Sequence, residues 1–151
     1  MVYVLNRQRA VRLNGRRWSR FALRVLQELG VSHRDVSLVF VSDVAMRRLN
    51  RQFRGKDRPT DVLAFPCDPL EGIDCDYLGD VVVSVETARR QAAHHRIRLE
   101  RELKNLIIHG LAHLCGYDHE TDTGEMRRLE RRLRRRLISS SGTGKARRQK
   151  D

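Results

Sequence analysis

Three of the six histidines in this 151-residue chain, His109, His113 and His119, fall close together in the stretch Ile107 to His119. His109 and His113 are four residues apart, and on a helix that spacing projects both imidazoles from one face, one turn above the other. Two such rings can share a single metal ion. Gly116 supplies a stop for the helix, because glycine enters the left-handed conformation without a Cβ clash. The chain can then turn back and bring His119 to the same ion. Three imidazoles around zinc leave the fourth position of a tetrahedral site open for water, which is the arrangement of a catalytic rather than a structural ion.

The spacing His-x-x-x-His-x-x-Gly-x-x-His is similar to that of the metzincin metalloproteases. Those enzymes place a glutamate after the first histidine as general base, and this chain has Gly110 there, with no side chain to take a proton. The metal spacing is kept and the peptidase base is missing. Cys115 lies two positions after His113 and points away from the pair, so it is not counted as a ligand. Cys67, Cys75 and Cys115 match neither a zinc knuckle nor a disulfide framework, and read as reduced and incidental.

Lys and Arg number 31 against 19 Asp and Glu, a formal net charge of +12. Such an excess draws a protein to polyanions and holds it there through counterion release, so RNA or DNA is the natural partner class. The length suits one domain with a real core. With no signal-like N-terminus and no apolar run of bilayer-crossing length, the expectation is a soluble, cytoplasmic protein that does not enter a membrane.

The elements that must hold the histidines follow from periodicity. Val2 to Leu5 reads as a strand. Asn14-Gly15 opens a helix with Trp18, Phe21, Ala22, Val25, Leu26 and Leu29 at helical spacing, stopped by Gly30. These residues are expected in the core, Trp18 included. Val36 to Val41 is a strand, and Ser42 or Asp43 caps a helix carrying Val44, Leu49 and Phe53. Leu78 to Ser84 is near-continuously apolar after Asp80, as in a strand buried on both faces. Ser84 caps a helix through His95, with His94 and His95 on the surface. The metal helix begins near Leu99 and places Leu106, Ile107 and Leu114 in the core. Asp122 and Glu125 have the form of a capping box, opening a last helix through Met126, Leu129, Leu133 and Leu137 whose other faces are rich in arginine. The segment from Pro66 to Asp76 is expected to be a mobile loop, and the tail 139–151 to be disordered and basic.

A loop dense in basic residues precedes a short apolar strand between Leu49 and Pro66. Gly55 lets the backbone turn and Pro59 stiffens the approach, so that Arg54, Lys56 and Arg58 are presented together to an anion. Arg54 suits charge stabilisation on a phosphodiester, since its guanidinium is a planar fork of donors that stays charged. Read on its own, such a cluster is more often a solvated basic loop.

Three segments carry a family resemblance. The string His109-Gly110-Leu111-Ala112-His113-Leu114-Cys115-Gly116-Tyr117-Asp118-His119 resembles the signature of the YbeY family of metal-dependent endoribonucleases. Phe53 through Pro66 is similar to its basic loop, with Ala64 where a serine is usual, and Leu78 to Ser84 is similar to its Leu-Gly-Asp strand. The resemblance implies an α+β fold: a small mixed four-stranded sheet packed with about five helices, one of them a zincin-like metal-bearing helix. It implies one domain over residues 1–138, a single zinc ion on His109, His113 and His119, and a catalytic Arg54, with Lys56 and Arg58 on RNA. The implied activity is single-strand-specific cleavage of precursor ribosomal RNA, in maturation of the 16S 3′ end and in ribosome quality control. The small ribosomal subunit would be the partner, together with a ribosomal protein or a GTPase.

Two other readings compete with the nuclease. A non-catalytic ribosome assembly factor would use zinc only to staple the turn after Gly116, but structural zinc sites are usually closed by four ligands and favour cysteine. A metallopeptidase would need the glutamate that Gly110 replaces.

Overall fold

The computed structural model describes residues 1–67 and 76–138. Of the loop expected over Pro66 to Asp76, residues 68–75 lie outside the described residues, as does the tail expected over 139–151, while Pro66 ends a strand. Four strands and five helices follow in the order β1 (Val2–Asn6), α1 (Gly15–Glu28), β2 (Asp35–Val41), α2 (Asp43–Arg54), β3 (Val62–Pro66), β4 (Tyr77–Ser84), α3 (Val85–His95), α4 (Leu99–Leu114) and α5 (Glu125–Leu137). The strands form one mixed sheet in the order β1-β2-β4-β3. β1, β2 and β4 run parallel, and β3 pairs antiparallel with β4. This is the α+β architecture that the family resemblance implies.

β4 is the strand on which the molecule is assembled. Its side chains alternate between the two faces of the sheet, and both faces are covered. Val81 and Val83 join Leu38, Trp18, Phe21, Leu106, Ile107, Leu111 and Met126 in the larger core, built from α1, α4 and α5. Val82 points the other way, into a smaller cluster with Val41, Leu63 and Met46 of α2. That two-sided burial is why the strand reads as a continuous apolar run. Trp18 is 4% exposed and edge-on to Phe21 and Phe40, a core position with no face left for a nucleobase.

Local signals set most element ends. Asn14 Oδ1 accepts from the N–H groups of Arg16 and Arg17 at the start of α1, and Ser42 and Ser84 accept from Ala45 and Thr87 at the starts of α2 and α3. α2 carries Val44, Leu49 and Phe53 as expected, with Val44 and Phe53 65% and 55% exposed; it buries Met46 and Asn50, one turn apart, because only one narrow face meets the sheet. One expectation is corrected: the start of α5 is not a capping box from Asp122. Gly124 is its N-cap in a left-handed conformation, Asp122 accepts from the N–H groups of Gly124 and Met126, and the Glu125 carboxylate accepts from Thr123. Among the described residues no helix is long and apolar enough to cross a membrane.

Candidate metal centre

Helix α4 carries His109 and His113 on one face, with their ring centroids 5.2 Å apart. The opposite face is locked into the core through Leu103, Ile107 and Leu111, each no more than 1% exposed, so the helix cannot roll and take the imidazoles with it. The helix ends at Leu114, with Cys115 as its cap. Gly116 follows at φ +92°, its N–H donating to the His113 carbonyl, and Tyr117 N–H reaches back to Ala112. The turn returns His119 to a stacked position 5.5 Å from His109, their ring planes 13° apart.

The second wall comes from the opposite face of the sheet. α2 ends at Arg54, so this side chain leaves the last helical turn and not the loop in which sequence reading placed it. Gly55, at φ +69°, closes the helix with its N–H donating to Arg51. Asn50, buried in α2, donates from Nδ2 to the Arg58 carbonyl at 2.8 Å, and Arg47 grips Asp57 with two bonds of 2.8 and 3.0 Å. The basic loop is thereby held at both ends while Arg54, Lys56 and Arg58 stay exposed.

These walls enclose a cleft of about 380 Å³. Arg54, Lys56 and Arg58 line it on one side, His109, His113 and His119 on the other, and β3 contributes Val62, Leu63 and Ala64 between them. Every residue singled out in the sequence as metal-binding, catalytic or RNA-contacting therefore borders one space. Cys115 does not line it. His94 and His95 are exposed at the end of α3, and neither reaches the cleft.

Asp118 and Glu120 also line the cleft and were not anticipated. Burial, together with the charges of His109, Arg54 and His119, pushes His113 below the usual imidazole value against the opposing pull of Asp118. A lowered value favours the neutral ring, which is the form able to bind a metal.

Sequence reasoning missed Glu130 as well. Its carboxylate Oε1 lies 2.9 Å from His109 Nδ1 and 3.0 Å from His119 Nε2. Burial pushes the carboxyl up, but the bonds and charges of His109 and His119 outweigh it and hold Glu130 below the usual carboxylate range. His109, His119 and Glu130 form a group that could hold a metal ion, their ligand atoms lying within 4.8 Å of one another. Glu130 lies on the buried face of α5 with Met126, Leu129 and Leu133, yet it is flanked along the chain by arginines.

Gly110 has a steric reason to be glycine. A Cβ built there would lie 2.5 Å from Val81 Cγ1 and 3.4 Å from Val62 Cγ2. The glutamate of a metallopeptidase has no room on this helix.

Comparison with known proteins agrees with the geometry. The family model described as Endoribonuclease YbeY matches residues 3–138. A protein of Aquifex aeolicus named Endoribonuclease YbeY is 42% identical over 123 residues, covering 82% of this chain and 79% of its own. One of the same name from Geobacter sulfurreducens is 38% identical over 136 residues, covering 88% and 91%. A solution structure of a Thermotoga maritima protein superposes with a TM-score of 0.56 at 30% identity, covering 88% of this chain and 86% of that one. The chain belongs to the YbeY family of endoribonucleases.

Proposed function

We propose that residues 1–138 form one metal-dependent endoribonuclease domain, which holds a single zinc ion on His109, His113 and His119 and cuts single-stranded RNA in the cytoplasm. The observation that carries this reading is the shared cleft: three imidazoles on one wall and three cations on the other border the same space. Three nitrogen donors, with two rings fixed by one helix and a third returned by a glycine turn, suit a tetrahedral ion that keeps one position open. When bound, the ion supplies Lewis acidity that activates water or polarises a phosphoryl oxygen.

The chain's own residues do the rest. Lys56 and Arg58 attract the phosphate backbone and set its register along β3. Arg54 meets the charge that builds on the phosphoryl group in the transition state, from a helix end held rigidly by Asn50 and Gly55. Gly110 offers no base, so the proton goes to solvent, to the substrate or to a carboxylate of the cleft, Asp118 or Glu120. The arginine face of α5, including Arg127, Arg131 and Arg135, extends the attraction for a polyanion beyond the cleft. The biological substrate in this reading is precursor ribosomal RNA, matured at the 3′ end of the small-subunit RNA and policed in ribosome quality control. The small ribosomal subunit, with a ribosomal protein or a GTPase, is the docking partner.

Zinc-loaded protein incubated with single-stranded RNA and with a duplex of the same sequence tests the reading. Cleavage confined to the single strand, lost in His113→Ala and strongly slowed in Arg54→Ala, is the expected result. Intact single-stranded RNA after prolonged incubation with protein of one-to-one zinc content would sink it.

A further inference from the structure

The buried stripe of α5 consists of Met126, Leu129, Leu133 and Leu137, and Glu130 lies among them at 8% exposure. A carboxylate withdrawn from water is costly unless its lone pairs are taken up by donors. Here Oε1 takes both His109 Nδ1 and His119 Nε2, and Oε2 faces Arg134 Nη1 at 3.5 Å.

Two places are open to such a group: on the metal, or behind the ligands. The cavities separate them. The cleft that contains His109, His113, His119 and Arg54 has no lining from Glu130. Glu130 instead lines a second cavity of about 470 Å³, with His95 and Arg134, which shares only His109 with the cleft. Glu130 therefore approaches His109 from the side away from the RNA wall. A carboxylate accepts, so His109 Nδ1 and His119 Nε2 are both donors, which leaves the ring lone pairs on His109 Nε2 and His119 Nδ1.

We propose that Glu130 is a positioning residue, which fixes the tautomer and ring plane of His109 so that Nε2 faces the cleft, and ties the turn carrying His119 to α5. The inference rests on the zinc reading above and assigns the third ligand position to His113, not Glu130. Outer carboxylates of this kind orient metal-bound imidazoles, and losing one weakens metal affinity by about 10–100-fold.

Zinc affinity, measured by competition with a chromophoric chelator, and the ring N–H signals of the zinc-loaded protein, measured by proton–nitrogen correlation NMR, test it together. Glu130→Ala is expected to weaken zinc binding about 10–100-fold and to abolish the slowly exchanging Nδ1–H signal of His109. Glu130→Gln, whose amide oxygen still accepts, is expected to keep that signal and most of the affinity, and it carries the test if Glu130→Ala does not fold. Wild-type affinity with an unchanged signal in Glu130→Ala overturns the inference while leaving the zinc site in place. Equal loss of affinity in Glu130→Gln and Glu130→Ala, with the Nδ1–H signal retained in both, also overturns it, because Glu130 would then be a ligand. A wild-type protein that takes up no zinc overturns the zinc reading itself, and the inference with it.

Discussion

The Cβ that Gly110 lacks would stand 2.5 Å from Cγ1 of Val81, so the helix bearing the histidines rests on the central strand more closely than any other residue at 110 permits. Gly110→Ala is expected to destabilise the protein by about 1–3 kcal/mol through overpacking. Val81→Ala makes room for the added methyl and should recover part of that loss when the two are combined. Urea unfolding of the two single variants, the double variant and the wild type measures the coupling.

Gly116 presents a different constraint, because a Cβ there meets nothing within 4 Å and the backbone alone, at φ +92°, disfavours a side chain. Gly116→Ala should cost about 1–3 kcal/mol of strain. Since the strain falls on the turn that returns His119, zinc affinity should drop along with the melting temperature, and chelator competition beside thermal unfolding reads both.

Arg54 lies in the cleft and outside the imidazole cluster. Arg54→Ala is expected to lower the cleavage rate by about 10²–10³-fold, the usual cost of removing one preorganised donor from a developing anion. Zinc content should stay at the wild-type level. Arg54→Lys restores the charge without the planar fork and should recover only part of the rate.

Lys56 and Arg58 act on the substrate backbone in this reading, so their effect should depend on salt. RNA affinity falls with ionic strength in proportion to the phosphates neutralised, with a slope of about 0.7 per contact for single strands. Lys56→Ser and Arg58→Ser should each reduce that slope by about 0.7, as measured by fluorescence anisotropy across a salt series with catalytically inactive His113→Ala protein.

Asp43, at the start of α2, accepts from Ser84 Oγ at 2.7 Å, Thr87 Oγ1 at 2.6 Å and Arg90 at 2.7 Å, joining the first turns of α2 and α3. Burial pushes its carboxyl up, but those bonds and the Arg90 charge outweigh it and hold it below the usual value. A depressed carboxylate stabilises the fold above its unfolded value of about 3.9, and the contribution is lost as pH falls through the folded value. Asp43→Asn should therefore melt lower than wild type at neutral pH, with the gap narrowing in acid below about pH 4. Calorimetry over a pH series checks the sign.

How much of this was legible in the sequence depended on whether the signal was local. The strands, the three serine and asparagine caps, the Gly116 stop and the histidine spacing are all local, and the structure places them where periodicity and cap chemistry put them. Glu130 was not read, because among seven arginines it passes for one half of a solvated ion pair; only the position of α5 against α4 makes it a partner of His109. Gly110 could be read as a missing base, yet its steric cause lies in Val81, 29 positions away along the chain. Val44 and Phe53 are apolar residues of α2 that stay exposed. Apolar spacing identifies a face, and only the sheet decides which face is covered.

Among the described residues β3 ends the sheet, and its outer side runs along the cleft. An unpaired strand border is a template on which a second chain can lay itself down, and proteins commonly guard such borders with charge. Arg54, Lys56 and Arg58 stand along this one. The cations that would welcome a polyanion therefore also repel another copy of the same basic chain, and reversing their sign would expose the protein to self-association as well as to loss of its substrate.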